Sequence, residues 1–109
     1  MALAVMVTIS SSIAQQVITA HEIIAQLESK EPVYYDNIQI LGDLDLQSLP
    51  SGQVSSTFAI TNSTIINASF AGITFTGDAV FWGSSFVNAS FEKASFVGQA
   101  DFANSSFAN

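Results

Sequence analysis

The chain has 109 residues, of which 49% are apolar and only 10% charged, with nine Phe and no Cys. That apolar content excludes intrinsic disorder, the absence of cysteine excludes disulfide scaffolds and thiolate chemistry, and the length suits one domain with a modest core. Lys30 and Lys93 are the only basic residues against nine acids, a formal charge of -7, so nothing can neutralise a row of phosphates and nucleic acid is excluded as a partner.

The N-terminal run Ala2 to Ile9 is apolar and leads into Ser10, Ser11, Ser12, Ile13 and Ala14. The small-x-small pattern Ser12-Ile13-Ala14 reads as the end of a secretory signal peptide over residues 1–14, which places the product outside the cell or on its surface. No Lys or Arg precedes the run, and a second reading keeps it as a hydrophobic start packed on the fold of a cytoplasmic protein. It is too short to span a bilayer, which takes about 20 apolar residues, so no transmembrane span is expected.

Residues 15–32 read as a capping helix. Thr19 and Glu22 have the spacing of a capping box, and Ile18 and Ile23 stand where a hydrophobic staple would put them. Ala20, Ile23, Ile24 and Leu27 form one apolar stripe, and Pro32 stops the helix near Glu31. The stripe has to cover something, and the residues after Pro32 are strand-like.

Residues 33–109 are repetitive. Ile66 to Phe86 aligns with Val87 to Phe107 at an offset of 21 residues, with about half the positions identical. Large apolar residues recur at Ile60, Ile65, Phe70, Phe75, Phe81, Phe86, Phe91, Phe96, Phe102 and Phe107, in steps of five with one six per block. The same rhythm run backwards reaches Val54, Leu49 and Leu44. Two residues before most of these stands a small one: Ser63, Ala68, Ala79, Ser84, Ala89, Ala94, Ala100 and Ser105, with Phe58 and Ile73 as the exceptions. On an extended chain, i and i-2 point to the same side, so both ladders face inward and the polar residues between them face water.

The quintets Asn67-Ala68-Ser69-Phe70, Asn88-Ala89-Ser90-Phe91 and Lys93-Ala94-Ser95-Phe96 resemble the pentapeptide-repeat family, over roughly Asp43 to Asn109. The lead-in from Thr19 to Leu46 is similar to the N-terminal cap of its archaeal and bacterial members. The resemblance implies an all-β solenoid: a right-handed quadrilateral β-helix of about three turns, about 21 residues per turn, with one N-terminal capping α-helix. The six-residue step is a departure from the family pattern and implies a bulged corner once per turn.

With 21 residues per turn, residues 21 apart lie one strand spacing apart, about 4.8 Å. Four columns are then expected: Ile60, Phe81 and Phe102; Leu44, Ile65, Phe86 and Phe107; Leu49, Phe70 and Phe91; Val54, Phe75 and Phe96. The helix caps one end and nothing in the sequence caps the other. Either the chain continues as a longer protein, or the open C-terminal end docks on another copy or an unknown protein partner.

Catalysis is not supported. His21 is the sole histidine, in the first turn of a helix where it reads as solvated, and no phosphate loop exists. Asp43 and Asp45 would point to one side of a strand, but calcium or acid-base work needs more oxygen ligands close by. No catalytic, cofactor or metal site is therefore assigned. The resemblance also brings in family members that inhibit DNA gyrase by imitating duplex DNA. Here six acids, Glu22, Glu28, Glu31, Asp36, Asp43 and Asp45, lie in the cap region, and the rest of the repeat carries only Asp78, Glu92 and Asp101 beside Lys93, so gyrase mimicry ranks second to a non-enzymatic scaffold or interaction module. Asn62, Asn67, Asn88 and Asn104 head N-x-Ser/Thr triplets that could accept glycans on an exported protein, although Asn- and Ser-rich repeats generate such triplets by composition and Asn suits tight corners. Trp82 comes directly after an inward Phe81 and should sit outside, where with Tyr34 or Tyr35 it could form a contact patch.

Overall fold

The computed structural model describes residues 15–108; the signal-peptide reading of residues 1–14 falls outside them. The chain is mostly parallel β-sheet with one helix, an arrangement compatible with a β-helix. In chain order the elements are β1 (Gln16–Thr19), α1 (Ala20–Glu28), β2 (Val33–Asp36), β3 (Ile38–Leu41), a 3-10 turn (Leu46–Ser48), β4 (Gln53–Val54), β5 (Phe58–Thr61) and β6 (Thr64–Ile66). They continue with β7 (Thr74–Phe75), β8 (Ala79–Val80), β9 (Ser85–Val87), β10 (Ser95–Phe96), β11 (Ala100–Asp101) and β12 (Ser106–Ala108).

Three sheets collect strands that recur along the chain. Their orders are β12-β9-β6-β3-β1, β10-β7-β4 and β11-β8-β5-β2. A fourth track is made of single bridges, Asp45 to Ser69 and Ser69 to Ser90. From β5 onward the chain visits these four tracks in a fixed order and returns to each after 21 residues, as in Phe58↔Ala79, Ile65↔Phe86, Ser69↔Ser90 and Phe75↔Phe96.

The earlier returns are longer. Val33 pairs with Phe58 and Gln39 with Thr64, both 25 apart, and Asp45 pairs with Ser69, 24 apart. One surplus residue is taken up between Gln39 and Asp45, and the other three between Asp45 and Gln53 by the 3-10 turn and the Gly52 bend, because Gln53↔Thr74 is again 21 apart. This corrects the column assignments at Leu44 and Leu49. The Asp45–Ser69 bridge sets Leu44 beside Ala68 and Leu46 beside Phe70, while β3 places Ile40, not Leu44, beside Ile65. Leu44, Leu46 and Leu49 are all buried nonetheless.

The N-terminal segment also differs from a helix over 15–32. Residues Gln16–Thr19 form a strand paired with β3, and the helix ends at Glu28, before Pro32 can stop it. The ending is a Schellman motif: Glu31 N–H donates to the Gln26 carbonyl at 2.9 Å, Lys30 N–H to that of Leu27 at 3.1 Å, and Lys30 is left-handed with φ 60. At the other end Thr19 Oγ1 accepts from Glu22 N–H at 3.1 Å, and the Glu22 carboxylate accepts from Thr19 N–H at 3.1 Å, a complete capping box. Ala20, Ile23 and Leu27 are buried and join the core, and Tyr35 Oη donates to Gln26 Oε1 at 2.8 Å, tying helix to β2.

The core is aromatic and layered. Phe70 and Phe91 stack with ring centroids 4.7 Å apart and planes 13° apart; for Phe75–Phe96 the values are 5.0 Å and 7°. Phe81–Phe102 at 5.1 Å and Phe86–Phe107 at 4.9 Å repeat the arrangement. These separations match the strand spacing, so the backbone ladder sets them, while rings from different tracks meet edge to face, as Phe81 and Phe86 do at 5.3 Å. Phe58 and Ile73, the large residues at small positions, are buried among them.

Candidate interaction surfaces

The candidates for chemistry are dispersed. His21 is exposed in the first helical turn, and Asp43 is exposed beyond β3. Asp45 Oδ1 accepts from Gln47 N–H at 2.9 Å, so its carboxylate caps the 3-10 turn. Among the described residues no group of three or more His, Asp or Glu could hold a metal ion, and no helix is long and apolar enough to cross a membrane.

Corners explain the asparagines. Asn62, Asn67, Asn88 and Asn104 are exposed and left-handed, with φ of 52, 57, 56 and 57, as is Asn37 at 56. Asn tolerates that conformation best after glycine, and Gly83, with φ 72, stands one return after Asn62 and one before Asn104. Asn88 Nδ2 donates to Asn67 Oδ1 at 3.3 Å and Asn62 Nδ2 to Asp36 Oδ1 at 2.9 Å. Backbone conformation thus accounts for Asn at all four triplets without a glycan.

Of the inward small residues, Ser63, Ala68, Ala79 and Ser84 are buried, whereas Ala89, Ala94 and Ser105 are half-buried. Among the large ones, Val54, Ile60, Ile65, Phe70, Phe75, Phe81 and Phe86 are buried, Phe91, Phe96 and Phe102 half-buried, and Phe107 is 59% exposed. Ala100 is exposed as well. Phe107 and Ala100 keep their places in the columns, over Phe86 and Ala79, and their exposure follows from having a neighbour one return below and none above among the described residues. The result, among the described residues, is a face presenting Phe91, Phe96, Phe102 and Phe107, bordered by the outer edges of β10, β11 and β12, which pair with no further described strand.

A second surface lies on the outside of the β11-β8-β5-β2 sheet. Tyr34 on β2 is 67% exposed and Trp82, just after β8, is 42% exposed. Between them Ala59 and Thr61 on β5, each 8% exposed, form a floor with Val80. Asp36 stands at one side; its Oδ1 accepts from Thr61 Oγ1 at 2.8 Å and from Asn62 Nδ2 at 2.9 Å, and these bonds hold the carboxyl below the usual range. The groove encloses about 370 Å³. An outward Trp82 is readable in the sequence, which leaves open whether Tyr34 or Tyr35 joins it; that Tyr34 does depends on the 25-residue return from β2 to β5, which the repeat alone does not announce. Compared with protein-family models, curated proteins and solved structures, the chain matches none.

Proposed function

We propose that the four tracks are the walls of one continuous right-handed quadrilateral β-helix of the pentapeptide-repeat type, and that the protein is a non-enzymatic scaffold that assembles through its uncovered aromatic course. Right-handed winding is what parallel strands joined by crossovers within one sheet adopt in nearly all proteins. The observation that carries the reading is the set of four phenyl stacks at one 21-residue offset, ending on rings with one open side. Unpaired N–H and C=O groups flanking exposed rings form a template for another course of strands. In the 109-residue chain a second copy supplies that course.

Sedimentation velocity at micromolar concentrations tests this. The wild-type chain is expected to dimerise, and Phe107→Asp to be monomeric with an unchanged far-UV spectrum, because that ring is already mostly exposed. A monomeric wild type, or a variant that dimerises equally well, contradicts it. The scaffold reading extends to export, with residues 1–14 removed; intact mass of the secreted product checks this, and a retained Met1 would count against it. Gyrase mimicry stays second because the acids do not run along the repeat: only Asp78, Glu92 and Asp101 lie beyond β4.

A further inference from the structure

The groove between Tyr34 and Trp82 is independent of the end face, and its construction departs from the rest of the surface. Outward positions of the strands are mostly Ser, Thr, Gln and other small or polar residues, as at Gln53, Thr64, Thr74 and Ser85, which give flat walls. Here two large rings border small floor residues. Along β2, β5 and β8, Tyr34 pairs with Ala59 and Ala59 with Val80, so Trp82 stands two courses and two residues from Tyr34, about 12 Å between Cα atoms. That gap admits one slender ligand between the rings, over Ala59 and Val80.

The charge at the groove has one sign. Asp36 lines it, and the chain's two basic side chains, Lys30 and Lys93, do not. Both side-chain bonds to Asp36 go to Oδ1; among the described residues no hydrogen bond reaches Oδ2. The carboxylate thus offers a single oxygen, suited to one N–H donor rather than to a two-pronged fork. Indole and phenol faces attract cations, and an apolar floor favours a hydrocarbon body.

We propose that this groove is a binding site for a small organic monocation, an alkyl- or arylalkylammonium ion whose nitrogen donates to Asp36 Oδ2 while its apolar body lies between Trp82 and Tyr34. The overall charge of -7 favours approach of such a ligand at low salt. A neutral sugar, the other common guest of exposed aromatics, would not use the carboxylate's charge.

Trp82 is the only tryptophan, so its emission, excited on the red edge to avoid the tyrosines, reports on the groove directly. Phenethylammonium, its neutral isostere 2-phenylethanol and cellobiose serve as probes. The ammonium ion is expected to give a saturable change, with an affinity about tenfold above that of the alcohol and weakened by salt. Asp36→Asn, which keeps an oxygen for Thr61 and Asn62, should bring the ammonium down to the level of the alcohol. Tyr34→Ala, truncating a mostly exposed ring, should weaken it several-fold while retaining the reporter. Equal affinity for ion and alcohol, saturation by cellobiose, indifference to Asp36→Asn in a folded variant, or no saturable change with the ion would each overturn the proposal.

Discussion

The hydroxyl of Ser84, a residue 1% exposed, ties its own course to residues 60–63 one return earlier. It accepts from Ser63 N–H at 3.2 Å and donates to the Ile60 carbonyl at 2.8 Å, as Ser63 Oγ accepts from Ile38 N–H at 3.0 Å and Ser105 Oγ donates to the Phe81 carbonyl at 2.7 Å. Alanine would fit the same space, so small size alone does not explain serine here. Ser84→Ala leaves a buried donor without that partner and is expected to cost about 1–3 kcal/mol in chemical denaturation, with an unchanged denaturant slope. A second residue-level expectation concerns Lys93, held at φ 59 one return above Gly72, which has φ 71 and open space around it. Lys93→Gly relieves the left-handed strain, partly offset by a freer unfolded chain, and should raise stability by about 0.5–1 kcal/mol. Two carboxyls are expected to make stability depend on pH on the acid side. The backbone and side chain of Thr19 hold Glu22 below its ordinary pKa, and Thr61 followed by Asn62 does the same for Asp36. A lowered folded pKa means stability that is present above the unfolded value and lost as pH falls through the folded one. Thermal midpoints should therefore decline below about pH 4, and less steeply in a Glu22→Gln, Asp36→Asn double variant; parallel declines would contradict this assignment.

At the level of elements, one ring type has two energetic roles. Phe70 is fully buried, with Leu46 beside it below and Phe91 stacked above, whereas among the described residues no course lies over Phe102. Phe70→Ala is expected to cost about 3–5 kcal/mol and Phe102→Ala distinctly less, by urea denaturation of each; equal costs would mean that the last course is covered. The corner at Gly77 and Gly98 is as restrictive as the core: a Cβ on Gly98 would lie 2.5 Å from the Gly77 carbonyl oxygen. From Val54 onward the ladder is legible in the sequence, because each large residue fills one place in a repeating course. The first course is not. Its surplus residues between Gln39 and Gln53 shift the register without breaking the apolar rhythm, so Leu44 and Leu49 read as members of columns in which Leu46 and Ile40 in fact stand. β1 escapes sequence reading for a related reason: Gln16–Thr19 abuts a strong helix start at Thr19 and pairs only because a complete course, helix included, brings the chain back beneath β3.

For the molecule as a whole, the first and last described courses of the stacked strands are bounded differently, one by the helix and the other by a layer of phenyl rings. Ala20, Ile23 and Leu27 close the first end with apolar side chains whose backbone is already satisfied within the helix, leaving polar residues such as Glu22 and Glu28 outside. At the other end the rings of Phe91, Phe96, Phe102 and Phe107 and the outer edges of β10, β11 and β12 have no further course over them among the described residues, and the outer walls carry little charge beyond the first courses. The two proposed surfaces are thus only half legible in the sequence: the aromatic face emerges from the repeat, while the Tyr34–Trp82 groove needs the true register. All of this rests on successive courses lying in parallel at a 21-residue offset. The most direct measurement is a set of nuclear Overhauser contacts in the 109-residue chain, with selectively labelled phenylalanines. Contacts should join the rings of Phe70 to Phe91 and Phe75 to Phe96, together with backbone contacts between Ser85 and both Thr64 and Ser106. Antiparallel hairpin contacts between neighbouring segments, with those ring pairs far apart, would contradict the account.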